Sequence, residues 1–491
     1  MHASVGSNLW SYSPTIAFSW LVELLLPSSH VNGRNVKPVV AVRNGTLVGG
    51  HNTRYHQEFL LGPWKVAKQA SAYGFRCDSA PLSLPGYSHD GLHHEEDEDC
   101  LTLNIIRPSG ATPSSRFPVL VYIYGGGLQE GGSSDQRYLQ YVSRVGLVSG
   151  RAFNDPSLAN FVLYDQQTAL YWIQENIAAF GGDPTRVTIQ AESSGAFVRQ
   201  IPSSSVRWTF LRCYHGAPLS SAALVPLDEQ ERMYQDVLIA TGCTAPIEPI
   251  EGLRQAPRSF FPVMDGKFIT DFPSNVLKQG KFVKVRLLIG SNLNEGTGYI
   301  ASGMFGAVNT GAELRAVITG FGTGKYLTND TIDRIVDGYL QLPIWQFRAN
   351  LGTTGDYLVN APKRYSTQMW AQSETPVYRY LFAAVPNGVS PRALGATHFQ
   401  EAAFVLNNSE GVGFTVPPLR SSDSQMENQP QDGPNNHHCR LLCCFSQSGY
   451  SLYVMPYLKI QWPMYQKDSA ANLVFRIEGP TVEPDTWRSG F

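Results

Sequence analysis

Alternation of apolar and polar positions first becomes regular at Val39-Val40-Ala41-Val42 and Thr46-Leu47-Val48-Gly49, with Arg43-Asn44-Gly45 between them. Asn-Gly between two such runs predicts a hairpin, because both residues accept the backbone twist of a tight turn. Leu101–Ile106 and Val119–Tyr124 read as strands, the second almost continuously apolar. A continuous apolar run fits a strand buried on both faces of a mainly parallel sheet. From Leu163 to Phe180 the period changes: Leu163, Leu170, Ile173, Ile177 and Phe180 recur at helical spacing. Gly181-Gly182 ends that helix, Pro184 prevents its resumption, and Val187-Thr188-Ile189 follows as a short strand. Further strands are expected at Val285–Ile289 and Val377–Phe382. Strands alternating with helices predict an α/β protein built on one large, mainly parallel sheet flanked by helices.

Two stretches interrupt this order. Residues Gln200 to Ser221 scatter Ser, Arg and Trp with neither period, and no strand or long helix is expected there. Ser421 to Pro434 is polar and rich in Pro, Gln and Asn, as in an exposed loop, and Cys439 to Tyr450 differs in composition from its neighbours.

Composition narrows the class. The chain has 491 residues, 43% hydrophobic and 16% charged, which is enough apolar material for a large core and excludes global disorder. Lys plus Arg number 38 and Asp plus Glu 40, so the net charge is 38 − 40 = −2 and no basic field points to nucleic acid or an anionic membrane. No stretch reaches the roughly 18–20 apolar residues that a membrane span needs. The seven cysteines form no Cys-x-x-Cys pair, which speaks against structural zinc and for one or two disulfides in an oxidising compartment. Sequons begin at Asn44, Asn329 and Asn407 as candidate glycosylation sites. Residues Thr15 to Leu26 resemble the apolar region of a signal peptide but lack a preceding Lys/Arg cluster and include Glu23. The balance favours secretion.

The chemistry centres on Val187-Thr188-Ile189-Gln190-Ala191-Glu192-Ser193-Ser194-Gly195-Ala196. A strand runs into small-x-Ser-x-small, the pattern of a tight strand-to-helix turn that presents a serine with little around it. Taken alone the pattern also fits an ordinary turn. Upstream, Tyr124-Gly125-Gly126-Gly127-Leu128 follows the apolar strand, and consecutive glycines let backbone N–H groups face a developing oxyanion at close range. No Gly-Lys-Ser/Thr follows, so a phosphate loop is disfavoured. The run His89–His94 with the acids Glu95 to Asp99, and His437-His438-Cys439, read as solvated loops with no metal bound, since nothing fixes a ligand geometry.

Glu98-Asp99-Cys100-Leu101-Thr102-Leu103-Asn104 closely resembles a signature of the type-B carboxylesterases and lipases, the cholinesterase-like α/β-hydrolases. Asp165-Gln166-Gln167 and Trp172 through Pro184 look like the helix preceding their active-site serine. Phe261–Gly266, Gly290–Gly296 and Val482–Trp487 match in the same way, and the likeness covers roughly residues 38 to 487 with gaps. It implies an α/β-hydrolase fold and a Ser-His-Glu triad of Ser193, Glu295 and His398, the last in wording most like fungal members. It further implies an oxyanion hole from the N–H groups of Gly126, Gly127 and Ser194, a disulfide between Cys77 and Cys100, no cofactor, and a small carboxylic ester as substrate.

The chain also departs from that pattern. Ala191 replaces the usual glycine, and Gly252 stands where the partner of Cys243 belongs. Leu61–Lys65 matches the entrance motif poorly, and the chain is short between Arg254 and Phe260. The edges of the irregular stretches are sharp enough to suggest frame-shifted, skipped or unspliced gene sequence. The expected organisation is an N-terminal segment 1–37 followed by one α/β-hydrolase domain, 38–491, with atypical stretches at about 200–221 and 421–460. Two alternatives to an ester hydrolase stay open: a catalytically silent, cholinesterase-like binding or adhesion protein, and a structurally compromised variant of the enzyme.

Overall fold

The computed structural model describes residues 39–43, 45–49, 54–58, 65–75, 77, 84–87, 95–97, 99–127, 132, 160–200, 212–215, 224, 227–241, 262–301, 310–320, 327–341, 355–405, 413–418 and 460–486. The N-terminal segment 1–37, the sequons at Asn44 and Asn407, the stretch 421–459, the His89–His94 run, and Cys243, Gly252 and Cys439 to Cys444 lie outside them.

The hairpin forms as expected. β1 (Val39–Val42) and β2 (Gly45–Gly49) pair antiparallel, Val42 opposite Gly45, and β4 (Lys68–Ala70) adds to β2 in parallel. β3 (Arg54–Glu58) pairs antiparallel with β5 (Thr102–Ile106). Cys77 and Cys100 are disulfide-bonded, with Cα atoms 5.0 Å apart and a sequence separation of 23.

Among the described residues the main sheet has seven strands: β6 (Phe117–Ile123), β7 (Gly182–Glu192), β8 (Arg212–His215), β9 (Leu287–Asn292), β10 (Val377–Phe382), β11 (Ala471–Phe475) and β12 (Thr481–Pro484). They lie side by side in chain order, parallel from β6 to β11, with β12 antiparallel at the edge. Burial on both faces explains the continuous apolar runs. In β9, Leu287 and Ile289 enter one cluster with Val119, Val187 and Trp370, while Leu288 between them enters another with Tyr380, Phe404 and Phe475.

The helix predicted from Leu163 runs Phe161–Asn176, tightens to a 3₁₀ turn over Ile177–Phe180 and stops at Gly181, whose φ of 92° is left-handed. It buries Leu170, Trp172, Ile173, Ile177 and Phe180 against the sheet. Each such side chain contributes about 1.5–3 kcal/mol by leaving water. The helix Ala361–Gln372 packs against β9 and β10.

Two expectations need adjustment. β7 is longer than Val187–Ile189 because its backbone pairs with β6 back to Gly182 across a bulge between Phe117 and Val119, which accommodates Pro184. The stretch 200–221 is not without structure, as its aperiodic side chains suggested. Arg212–His215 forms β8, pairing in parallel with β7 on one side and β9 on the other. Backbone hydrogen bonding on both edges makes this strand, and side-chain patterning carries no record of it.

Candidate active site

β7 delivers Glu192 and then turns abruptly. Ser193 has φ 48°, a left-handed conformation that costs a non-glycine residue of order 1–3 kcal/mol and persists only where its surroundings fix it. Those surroundings are tight. A Cβ on Gly195 would sit 2.0 Å from the Tyr124 carbonyl oxygen, and one on Gly125 would sit 2.6 Å from the Ser193 Cβ. Only small residues fit, and Ala191 and Ala196 are fully buried. The chain then continues as a 3₁₀ helix, Ser193–Gln200. The close approach of Gly125 lays the glycine turn after β6 against Ser193, with Gly126 and Gly127 at φ 102° and 64°.

Two further strand ends complete the cluster. Glu295 opens the helix that follows β9, and its Oε1 accepts from the Asn292 N–H at 2.6 Å. His398 lies in the loop after β10, followed by Phe399 in another left-handed conformation, φ 75°. That loop is stitched to the one after β9. Asn294 N–H donates to the Ala396 carbonyl at 2.9 Å, Thr297 Oγ1 to Leu394 at 2.7 Å, and Asn292 Nδ2 to Thr397 at 2.6 Å. The structure thereby brings together the three residues singled out in the sequence. His398 Nδ1 lies 2.6 Å from Glu295 Oε2, and His398 Nε2 lies 2.9 Å from Ser193 Oγ. All three side chains are buried. A hydroxyl on one ring nitrogen and a carboxylate on the other can move a proton from oxygen to nitrogen and hold the resulting imidazolium.

Three neighbours went unassigned in the sequence. Glu192 Oε1 is 3.4 Å from His398 Nε2, and Glu401 Oε2 accepts from Asn292 Nδ2 at 2.5 Å. The ring of Tyr299 packs on that of His398, centroids 4.9 Å apart and planes 33° apart. The signal was position. Glu192 precedes Ser193, Glu401 follows His398 by three residues, one helical turn, and Tyr299 follows Glu295 by four.

Three buried carboxylates around one imidazole dominate the electrostatics. Burial pushes His398 down, but the Glu295 charge and hydrogen bond, with Glu192 and Glu401, outweigh it and lift the ring to about 9. Burial lifts Glu401 to about 7, with Glu295 adding to the rise and His398 and the Asn292 hydrogen bond opposing it. Burial also holds Glu192 well above the usual carboxylate range, against the pull of His398. Of the candidate glycosylation sites, Asn329 is exposed at the start of the helix Asn329–Leu340, where its Oδ1 accepts from Arg315 at 3.0 Å. Among the described residues no helix is long and apolar enough to cross a membrane.

The sequence profile of the carboxylesterase family matches residues 51–432. Lipase 4 of Diutina rugosa is 32% identical over 367 residues, 57% of this chain and 65% of that protein. The cholinesterase of Mus musculus is 29% identical over 414 residues, 72% of this chain and 67% of that one. Secreted lipase 1 of Botryotinia fuckeliana is 32% identical over 249 residues, 41% of this chain and 43% of its own length. The chain thus spans less than two thirds of either lipase. A profile match over most of the chain, on a parallel sheet whose strand ends carry Ser193, Glu295 and His398, settles the kinship: the chain belongs to the carboxylesterase family of α/β-hydrolases.

Proposed function

We propose that the protein hydrolyses carboxylic esters through an acyl-enzyme, with Ser193 as nucleophile, His398 as general base and acid, and Glu295 as the carboxylate that orients the imidazole. The observation that carries this reading is the unbroken line Glu295–His398–Ser193, at 2.6 and 2.9 Å, ending on a serine held at positive φ. In the first half-reaction His398 Nε2 takes the Ser193 proton as Oγ attacks the ester carbonyl. The imidazolium, stabilised by Glu295, then returns the proton to the departing alcohol. In the second half-reaction water attacks the acyl-Ser193 carbonyl, His398 takes its proton, and the proton is delivered to Ser193 Oγ as the acid leaves. The N–H groups of Gly126, Gly127 and Ser194 receive the oxyanion of both tetrahedral intermediates. No step needs a cofactor or metal ion.

The domain reading is one α/β-hydrolase domain over 38–491 preceded by the segment 1–37. Secretion is supported by the Cys77–Cys100 disulfide and by the secreted lipase among the relatives, with Asn44, Asn329 and Asn407 as acceptors for glycans. Intact Ser193, His398 and Glu295 favour an enzyme over a silent binding protein. The test is a panel of p-nitrophenyl esters of increasing acyl length. Hydrolysis of at least one member, abolished in Ser193→Ala, is expected. A folded protein that hydrolyses none and resists fluorophosphonate labelling would refute the reading and point to the binding protein.

A further inference from the structure

The residue after His398 sits in a strained conformation. Phe399 is buried at φ 75°, a left-handed geometry that a bulky residue keeps only where its surroundings enforce it. Both flanks are pinned. Upstream, the Thr397 carbonyl accepts from Asn292 Nδ2 at 2.6 Å. Downstream, the Phe399 carbonyl accepts from the Ala402 N–H at 3.0 Å, where the buried helix Glu401–Val405 begins. Relaxation of φ at Phe399 would therefore turn the His398–Phe399 peptide, between the two pins. The ring that packs on Phe399 comes from far away in the chain. Tyr87, between the bonded Cys77 and Cys100, lies on Phe399 with centroids 4.9 Å apart and on Phe414 at 4.7 Å. Main-chain pairing fixes its seat: Tyr87 bridges to Phe414, and the Thr415 N–H donates to the Gly86 carbonyl at 3.1 Å.

We infer that Tyr87 is a positioning residue for the reaction: its ring wedges Phe399 in the left-handed conformation and so keeps His398 in line with Ser193 and Glu295. The inference rests on the esterase reading above and concerns what holds the base in place. That line tolerates little movement, since the imidazole must meet Ser193 Oγ at 2.9 Å and Glu295 Oε2 at 2.6 Å at once. Without the Tyr87 ring a gap opens beside Phe399, and the Phe399 ring moves into it. Its φ then relaxes towards negative values, the His398–Phe399 peptide turns, and the imidazole leaves one of its partners. The Tyr87 ring performs this task and its hydroxyl does not, since the contact with Phe399 is ring on ring. Glycine at position 399 would make the wedge unnecessary, because glycine takes positive φ as readily as negative.

The test is a double-mutant cycle on the full chain. It reads the fluorophosphonate labelling rate of Ser193 per folded molecule, with kcat and KM for p-nitrophenyl butyrate. Wild-type labelling and turnover establish the esterase reading independently of Tyr87. Tyr87→Ala should slow labelling and lower kcat by about 10–100-fold, the cost of a misplaced catalytic group, with KM little changed. Tyr87→Phe keeps the ring and should restore both rates. Phe399→Gly should stay within about threefold of wild type, and in that background Tyr87→Ala should add almost nothing, because no strain is left to hold. Tyr87→Leu, which keeps most of the apolar volume, replaces Tyr87→Ala if the latter does not fold. Wild-type labelling in Tyr87→Ala, an equal loss in both backgrounds, or a loss confined to KM would each overturn the proposal and leave the esterase reading standing. So would a Phe399→Gly protein without activity, or losses in the Ala and Leu variants that follow unfolding alone.

Discussion

β7 runs for eleven residues and buries Val187, Ile189 and Ala191, whereas its neighbour β8 has four residues, Arg-Cys-Tyr-His, and holds its place by backbone pairing on both sides. β7 carries Ser193 at its end, and β8 lies between β7 and β9. Yet the site depends on both. Strands in a sheet lie about 4.8 Å apart, so one intervening strand sets the ends of β7 and β9 about 10 Å from each other. That gap matches one imidazole with a hydrogen bond at either end, 2.9 Å to Ser193 and 2.6 Å to Glu295. β10, next beyond β9, supplies the loop that brings His398 into the gap. Through its backbone β8 acts here as a spacer, and the comparison separates what a strand presents from what it positions.

The sharpest contrast is between deleting the chemistry and deleting the spacer. Ser193→Ala should lower ester hydrolysis by at least about 10³-fold while leaving the melting temperature within a degree or two, because Ala fits the elbow. Activity kinetics and a thermal melt on the same preparation check this. Tyr214→Pro, in the middle of β8, should do the reverse. It removes one ladder N–H between two parallel neighbours and orphans a buried carbonyl at a cost of about 1–3 kcal/mol, so the melt falls and fluorophosphonate labelling falls with it. Pro184 in β7 is no precedent, since it sits at the bulge. A Tyr214→Pro protein that labels at the wild-type rate would show that the spacing of β7 and β9 is fixed by something other than β8.

These two strands also show what could be read in advance. β7, β9 and β10 are buried on both faces, so their apolar runs stand out, and the small residues around Ser193 are dictated by contacts as close as that of Gly195 with Tyr124. Ser193, Glu295 and His398 were legible because each stands at a strand end within a family motif. β8 was illegible because a short central strand is specified by its neighbours' hydrogen-bonding edges and hardly at all by its own side chains. Glu192 was quoted within the serine motif but unassigned, and Glu401 and Tyr299 were not singled out. Their importance comes from sharing one imidazole across three loops, a relation that only folding creates.

Two smaller effects refine the comparison. The Cys77–Cys100 bond ties down chain outside the main sheet, where neither apolar patterning nor two-sided pairing is available. Replacing both cysteines by serine should cost roughly 2–4 kcal/mol, with the active-site labelling rate unchanged once the protein is folded. Native protein in which both thiols alkylate would remove this anchor and the main support for secretion. The smallest effect is electrostatic. Glu401 ionises at about 7, below the value of about 9 for His398, so its charge is present where the imidazole titrates and raises it. Glu401→Gln should lower the His398 value. Neutral imidazole is the working base, so the acid limb of kcat/KM should move to lower pH by less than about one unit. A limb that moves to higher pH would contradict the assignment of these charges.

The central claim, that three strand ends spaced by β8 assemble a working nucleophile from Ser193, His398 and Glu295, is tested most directly by mass spectrometry after reaction with a fluorophosphonate. The account predicts one adduct per chain, mapped to the peptide carrying Ser193 and absent when the protein is denatured first. A folded protein that takes up no adduct, or carries it on another serine while Ser193 stays free, would contradict it.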